Sequence, residues 1–309
     1  LIQLAELPPN FYTRPTLHWN LLANKAGKHQ LQLMYLTGGL GWDVTYNSIW
    51  DGHTLALNSW VTITNNSGKA FNNVHLKLIA GDVNRVRKDY YDMAGRGYEV
   101  MLKTAEQAAP TFEEKAFHDF HMYTLDQPVT FADKQTKQME LYPQQNVNAT
   151  QIYEYNTFDN RVLSIIKFKN TEENGIGKPL PKGTIKVYKK DVDNNLEFIG
   201  EDSINHTSKN EEVRIKTGTA FDLVGKTIIK DQKTISQKVS QRTIQVTLRN
   251  NSAENKTINL IHYLGPNAKI ISVENAPQPS VDEYNKATFE INIAPNQEII
   301  LSFLERTEY

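Results

Sequence analysis

The sequence predicts an all-β chain, folded as two consecutive antiparallel β-sandwich domains of immunoglobulin-like type, with a long mobile excursion in the first. Three observations predict it. Leu55, Leu57, Val61 and Ile63 fall on one side of a period-two segment, and Val74, Leu76 and Leu78 repeat the pattern after a polar, glycine-containing break. From Thr184 onward, short alternating segments follow one another at the spacing expected of a sandwich. The segment ITNNSGKAFNNVHLKL (63–78) recurs faintly as LRNNSAENKTINLIHY (248–263), as if two sandwiches reused one hairpin with a residue deleted. An apolar strand face must be buried against a second sheet, which is why the pattern implies layers.

Length and charge set the outer bounds. A chain of 309 residues is long enough to bury roughly three quarters of its unfolded surface, and long enough to divide into domains. We expect residues 1–218 to form the larger sandwich and 219–309 the second. With 34 basic and 35 acidic residues the net charge is −1, so no overall field draws the chain to nucleic acid or an anionic membrane. There is no cysteine, which removes disulfides, thiolate metal sites and cysteine nucleophiles. No apolar run approaches the ~20 residues of a membrane-spanning helix. The chain opens LIQLAELPPN, with neither an initiator Met nor a leader pattern, as a processed or cut polypeptide would.

In order, Pro8, Pro9 and Pro15 mark an extended lead-in expected to dock by Trp19 and Leu21. Leu31, Leu33 and Tyr35 alternate into Gly38-Gly39, and Trp42, Val44 and Tyr46 alternate beyond it, which predicts two strands kinked at the glycines. Periodicity disappears over 85–115, the expected excursion, with a short helix at 98–108 as its one regular feature. Strands are predicted for FHDFHMYTL (117–125), PVTF (128–131), KQMELY (137–142), 151–155 and 162–168. The Gly- and Pro-rich run 170–181 reads as a loop. After TIKVYKKD, LEFIGEDSIN and EEVRIKTG, the second domain supplies VGKTIIKD, RTIQVTLRN, KTINLIHYL, KIISVEN, KATFEINI and EIILSFLER.

The chain resembles a bacterial family of unknown function, the C-terminal domain of mucoidy-inhibitor-A-like proteins. The resemblance rests on TGGLGWDVTY (37–46), WVTITNNSG (60–68), LKLIAGDVN (76–84), FHMYTLDQPVTF (120–131) with KQTKQ (134–138), LPKGTIKVYKKD (180–191), residues 198–225 and the C-terminal strands. It covers nearly the whole chain from residue 30. It implies an all-β fold and an upstream export signal in the precursor, and it carries over no catalytic residue.

Four constellations invite chemistry. His118, Asp119 and His121 are types that ligate divalent metals, but residues three apart on a strand project from opposite faces. Asp82 with Arg85 and Arg87 reads as a carboxylate- or anion-handling corner, or as a turn Asp beside solvated arginines. Asp191, Asp193 and Asn195 imitate a calcium loop, yet Leu196 and Asp202 stand where glycine and glutamate are required. Trp42, Trp50 and Trp60 with Tyr35, Tyr46 and Phe71 form either an aromatic platform or sandwich core. Asn65, Asn148, Asn205, Asn250 and Asn255 head Asn-x-Ser/Thr triplets that composition alone accounts for. No nucleophile-elbow, Walker or Rossmann pattern is present.

The expected function is therefore non-enzymatic: an extracytoplasmic protein of the periplasm, cell surface or exterior, needing no cofactor and offering a structural or interaction surface to a protein or polysaccharide of the cell envelope. Its exposed sheet edges would accept a partner strand. The alternative is a metal-dependent hydrolase or carbohydrate-binding protein whose site lies under residues 85–121, with Arg85, Arg87, Tyr90, Tyr91, His118 and His121 as its residues.

Overall fold

The computed structural model describes residues 16, 18–81 and 111–309. The chain separates into two compact units, Leu1–Thr37 and Gly38–Tyr309. The described part of the first has no strand: Leu31, Leu33 and Tyr35 are exposed, as are Trp19 and Leu21. The strand expected there is a correction, because alternation without a neighbouring chain leaves the backbone no ladder to join.

The second unit is all-β. Its strands are β1 (Leu40–Trp50), β2 (Thr54–Asn65), β3 (Phe71–Val74), β4 (Lys77–Ala80), β5 (Phe112–Phe117), β6 (Phe120–Leu125) and β7 (Val129–Phe131). They continue with β8 (Gln135–Asn148), β9 (Thr150–Asn156), β10 (Arg161–Lys169), β11 (Gly183–Lys190), β12 (Leu196–Ile204) and β13 (Glu212–Ser236). The last are β14 (Val239–Asn250), β15 (Lys256–Tyr263), β16 (Ala268–Glu274), β17 (Ser280–Val281), β18 (Lys286–Ile293) and β19 (Gln297–Glu308). The region 82–110 lies outside the described residues, and with it most of the expected excursion and the helix at 98–108. Residues 112–115, placed in the excursion by their charge, instead begin β5.

A five-stranded sheet runs β12-β11-β1-β2-β8, a nine-stranded sheet runs β16-β19-β14-β13-β10-β9-β15-β18-β17, and the small sheets β3-β7 and β4-β6-β5 complete the unit. Pairing is antiparallel except for β1 with β11 and β9 with β15. The β1–β2 hairpin shows how local chemistry sets register. Asp51 accepts hydrogen bonds from the Thr54 hydroxyl and from the Thr54 and His53 amides, which hold its carboxyl down at about 2. Register Trp50↔Leu55 follows, and Leu55, Leu57, Val61 and Ile63 all point inward.

Two cores result. One holds Val44, Tyr46, Leu55, Val61, Tyr123, Ile185 and Ile215, the other Tyr155, Val162, Leu223, Val246, Leu260, Phe289 and Phe303. The boundary expected near Gly218 falls inside β13, a strand of 25 residues that serves both: Val213 and Ile215 enter the first core and Leu223 the second. Strand β10 does the same, with Ile166 and Phe168 in one core and Val162 in the other. In the sequence Gly218 reads as a break, but β13 passes through it, and through Gly225, without leaving its sheet. A Cβ at Gly225 would lie 2.2 Å from Tyr155 Cε2, so the buried Tyr155 ring occupies the space a side chain would take.

The faint sequence repeat is carried by geometry. Asn65 is fully buried; its Nδ2 donates to Lys69 O and Ala132 O, while its Oδ1 accepts from Ser67 N and Oγ. Asn250, equally buried, donates to Glu254 O, Ile293 O and Ala294 O and accepts from Ser252 N and Oγ. The next residue also repeats, Asn66 N donating to Gly39 O and Asn251 N to Asp222 O. The strands around them correspond: β2 pairs β8 and β3 pairs β7, as β14 pairs β19 and β15 pairs β18.

Candidate functional site

The sequence candidates disperse. His118 and Asp119 form the turn between β5 and β6, with His118 at φ 56°, and are not the strand residues expected. A short apolar run concealed that hairpin because its turn contains no glycine. His118 lies 3.5 Å from Asp119 and edge-on to Phe120, whereas His121 Nδ1 is 2.7 Å from Glu114 Oε1. Among the described residues no group of three His, Cys, Asp or Glu is placed to hold a metal ion. Asp82, Arg85, Arg87, Tyr90 and Tyr91 lie outside the described residues. Asp191 Oδ1 accepts from Asp193 N and Asn195 N, closing the β11–β12 hairpin as a structural turn. Tyr46 and Trp50 are buried on the inner face of β1 and Trp42 tilts against Tyr123, while Trp60 shares the opposite face with Thr45. The aromatic residues are therefore split between faces, and they make no platform.

Asp119 and His121 do border a small cleft of about 140 Å³, with Gly81, Tyr123, His206 and the run Pro179, Leu180 and Pro181. That run is held by phenols: Tyr46 donates to Pro181 O at 2.7 Å, and Tyr123 and Tyr142 donate to Pro179 O at 3.1 and 3.0 Å. Leu180 pairs with Thr207, and Asn170 Nδ2 donates to Lys178 O and Ser208 O. Pro179 and Pro181 have no N–H to give a ladder, and their carbonyls are met by side chains. Burial pushes all three phenols well above the usual tyrosine range. These residues hold a loop in place.

A larger groove of about 340 Å³ follows β13 where it passes between the two cores. Ladder pairs Leu163↔Thr219 and Arg161↔Val224 leave residues 220–223 of β13 opposite Val162 alone, so the strand bulges away from β10. Gln151, Ser164, Thr217 and Thr219 line one part, Tyr153, Ile199 and Lys256 another, and Phe221 stands at the groove 95% exposed. The polar wall is internally bonded: Gln151 Nε2 donates to Ser164 Oγ, and Thr217 Oγ1 to Ser164 O. Lys256 Nζ lies 5.6 Å above the Tyr153 ring and 2.7 Å from Glu254 Oε2. The wall's polar groups are bonded to one another, and it presents an aromatic ring beside hydroxyls.

One cluster was missed from sequence. His262, 1% exposed, places Nδ1 2.7 Å from Thr157 Oγ1 and Nε2 2.7 Å from Glu305 Oε2, and Arg242 grips the same carboxylate through Nε and Nη2. Burial alone would raise the Glu305 carboxyl, but hydrogen bonds from His262 and Arg242 outweigh it and hold the group below the usual glutamate range. A hydroxyl, imidazole and carboxylate in series imitate a hydrolytic relay. Here Thr157 is itself buried, Phe158 and Phe303 flank the imidazole, and Arg242 already neutralises the carboxylate. The arrangement ties β14, β15, β19 and the turn after β9 together inside the second core. The available signal was Glu305 at an inward position of the alternation Leu301, Phe303, Glu305.

Neither a scan against protein-family models nor a search of curated proteins matched this chain.

Proposed function

We propose that the chain is a non-enzymatic, extracytoplasmic β-sandwich protein that offers an interaction surface in the bacterial cell envelope, with a protein or polysaccharide partner seated in the groove along residues 217–223. The exposed Phe221 beside that groove carries the reading. A ring left in water gains free energy when a partner covers it, and aromatic residues are enriched where such contacts form. The groove's volume falls in the range of ligand sites, roughly 300–1,000 Å³. The envelope setting is supported by the resemblance of motifs such as those at 37–46 and 180–191 to a family with export signals.

The test is capture from bacterial envelope fractions by the immobilised full chain, wild type beside Phe221→Asp. Wild type is expected to retain a partner that the variant releases. Equal retention by both, or retention by neither, overturns the proposal.

A further inference from the structure

The ladder between β10 and β13 ends at Arg161↔Val224, because Arg161 is the first residue of β10 after the turn at 157–160 that follows β9. Strand β13 continues to Ser236, paired from Lys226 onward with β14 alone among the described residues. One edge of this long arm is therefore without a neighbouring strand, and its backbone N–H and C=O groups form a template for another chain.

Side chains on the arm qualify that template. Ile228, Ile229 and Ile235 are 43%, 56% and 56% exposed, and the first two, being adjacent, project to opposite faces. Lys226, Lys230 and Lys233 stand against the single carboxylate of Asp231, which bonds Lys233 at 2.7 Å. The arm is thus basic in a chain whose net charge is −1. Lysines and the bulges after Ile229 and Thr234 are devices by which proteins keep sheet edges from pairing with their own copies. A merely guarded edge has no use for exposed isoleucines, whereas β-branched residues gain from cross-strand contacts. Like charge turns away a second copy, and opposite charge admits a strand bearing carboxylates.

We infer that the free edge of β13, residues 226–236, docks an extended acidic segment of a partner polypeptide by strand addition. This rests on the interaction reading above and adds a second surface to it, continuous with the groove along the same strand. Backbone hydrogen bonds hold the segment, Lys226 and Lys230 select its charge, and the isoleucines cover its apolar side chains.

The probe is a short fluorescein-labelled peptide of alternating glutamate and valine, titrated against the full chain by anisotropy, with a lysine–valine peptide and phosphatidylserine vesicles in parallel. The acidic peptide is expected to bind and to slow amide exchange over 226–236. The double variant Lys226→Glu/Lys230→Glu should weaken it about tenfold and bind the lysine–valine peptide instead. No binding, binding without protection of 226–236, equal binding of both peptides, vesicle binding in place of peptide binding, or a dimer by light scattering that excludes the peptide would each overturn the inference. Phe221→Asp separates the two readings: if it still abolishes envelope capture while the edge fails these tests, the groove proposal stands alone.

Discussion

Asn65 and Asn250 occupy equivalent corners of the two cores and make corresponding bonds, each side-chain amide serving a turn and a distant strand end at once. A buried amide that satisfies several carbonyls is hard to replace, since Ala132 O, Ile293 O and Ala294 O lose its bond outright and Lys69 O and Glu254 O keep only the longer bonds from Ser67 and Ser252 Oγ.

Asn65→Ala and Asn250→Ala should each therefore cost about 2–3 kcal/mol, read as a lowered urea midpoint. Asn→Asp at either site should cost as much or more, because a carboxylate faces carbonyl oxygens and cannot donate. Ser67→Ala and Ser252→Ala remove a hydroxyl shared between the amide oxygen and the Lys69 or Glu254 carbonyl, and should cost about 1 kcal/mol.

Acid should loosen the second core through Glu305. Its folded-state pKa lies below the ordinary glutamate value, so the folded protein binds that proton more weakly than the unfolded chain does. The stability this contributes is present above about pH 4.3, the unfolded value, and is lost as pH falls through the lowered folded value. Unfolding free energy measured against pH should show that slope, and Glu305→Gln should flatten it. Glu305→Ala, which strands Arg242 and His262, should cost about 3–5 kcal/mol.

Base should act on the other core. Tyr46, Tyr123 and Tyr142 have folded-state pKa values raised by burial, so their stabilising contribution is intact below about pH 10, the unfolded value, and declines as pH rises beyond it. Phenolate absorbance should develop together with unfolding. Tyr46→Phe removes the phenol that donates to Pro181 O and should cost about 1–3 kcal/mol. Tyr123→Phe should cost less, because Tyr142 still donates to Pro179 O.

Gly225→Ala tests the passage of β13 over Tyr155. The new methyl would meet the buried ring at 2.2 Å, and the ring's hydroxyl is bonded to Thr227 Oγ1, so neither partner can step aside cheaply. We expect a loss of about 1–3 kcal/mol in thermal or urea unfolding.

Strand identity was legible wherever a strand buries one face, as Leu55, Leu57, Val61 and Ile63 illustrate, because period-two burial writes itself into residue order. Continuity was not. Gly218 reads as a domain boundary, yet β13 runs through it, and only partner strands reveal that. The turn at His118 and Asp119 was hidden for a related reason, since hydrogen-bond partners and not residue type close it. The groove depends on a register offset between β10 and β13, a relation between segments that no single segment records. Arg242, His262 and Glu305 likewise stand on three different strands, so their meeting is a product of topology.

Because β13 and β10 each lend side chains to both interiors, neither half of the unit is a candidate for separate expression, deletion or recombination. A gene cut at Gly218 would leave the upstream fragment without β14, β15, β18 and β19 over Tyr155 and Val162, and the downstream fragment without those two residues. Calorimetry of the intact chain should show one melting event, the two interiors coming apart together.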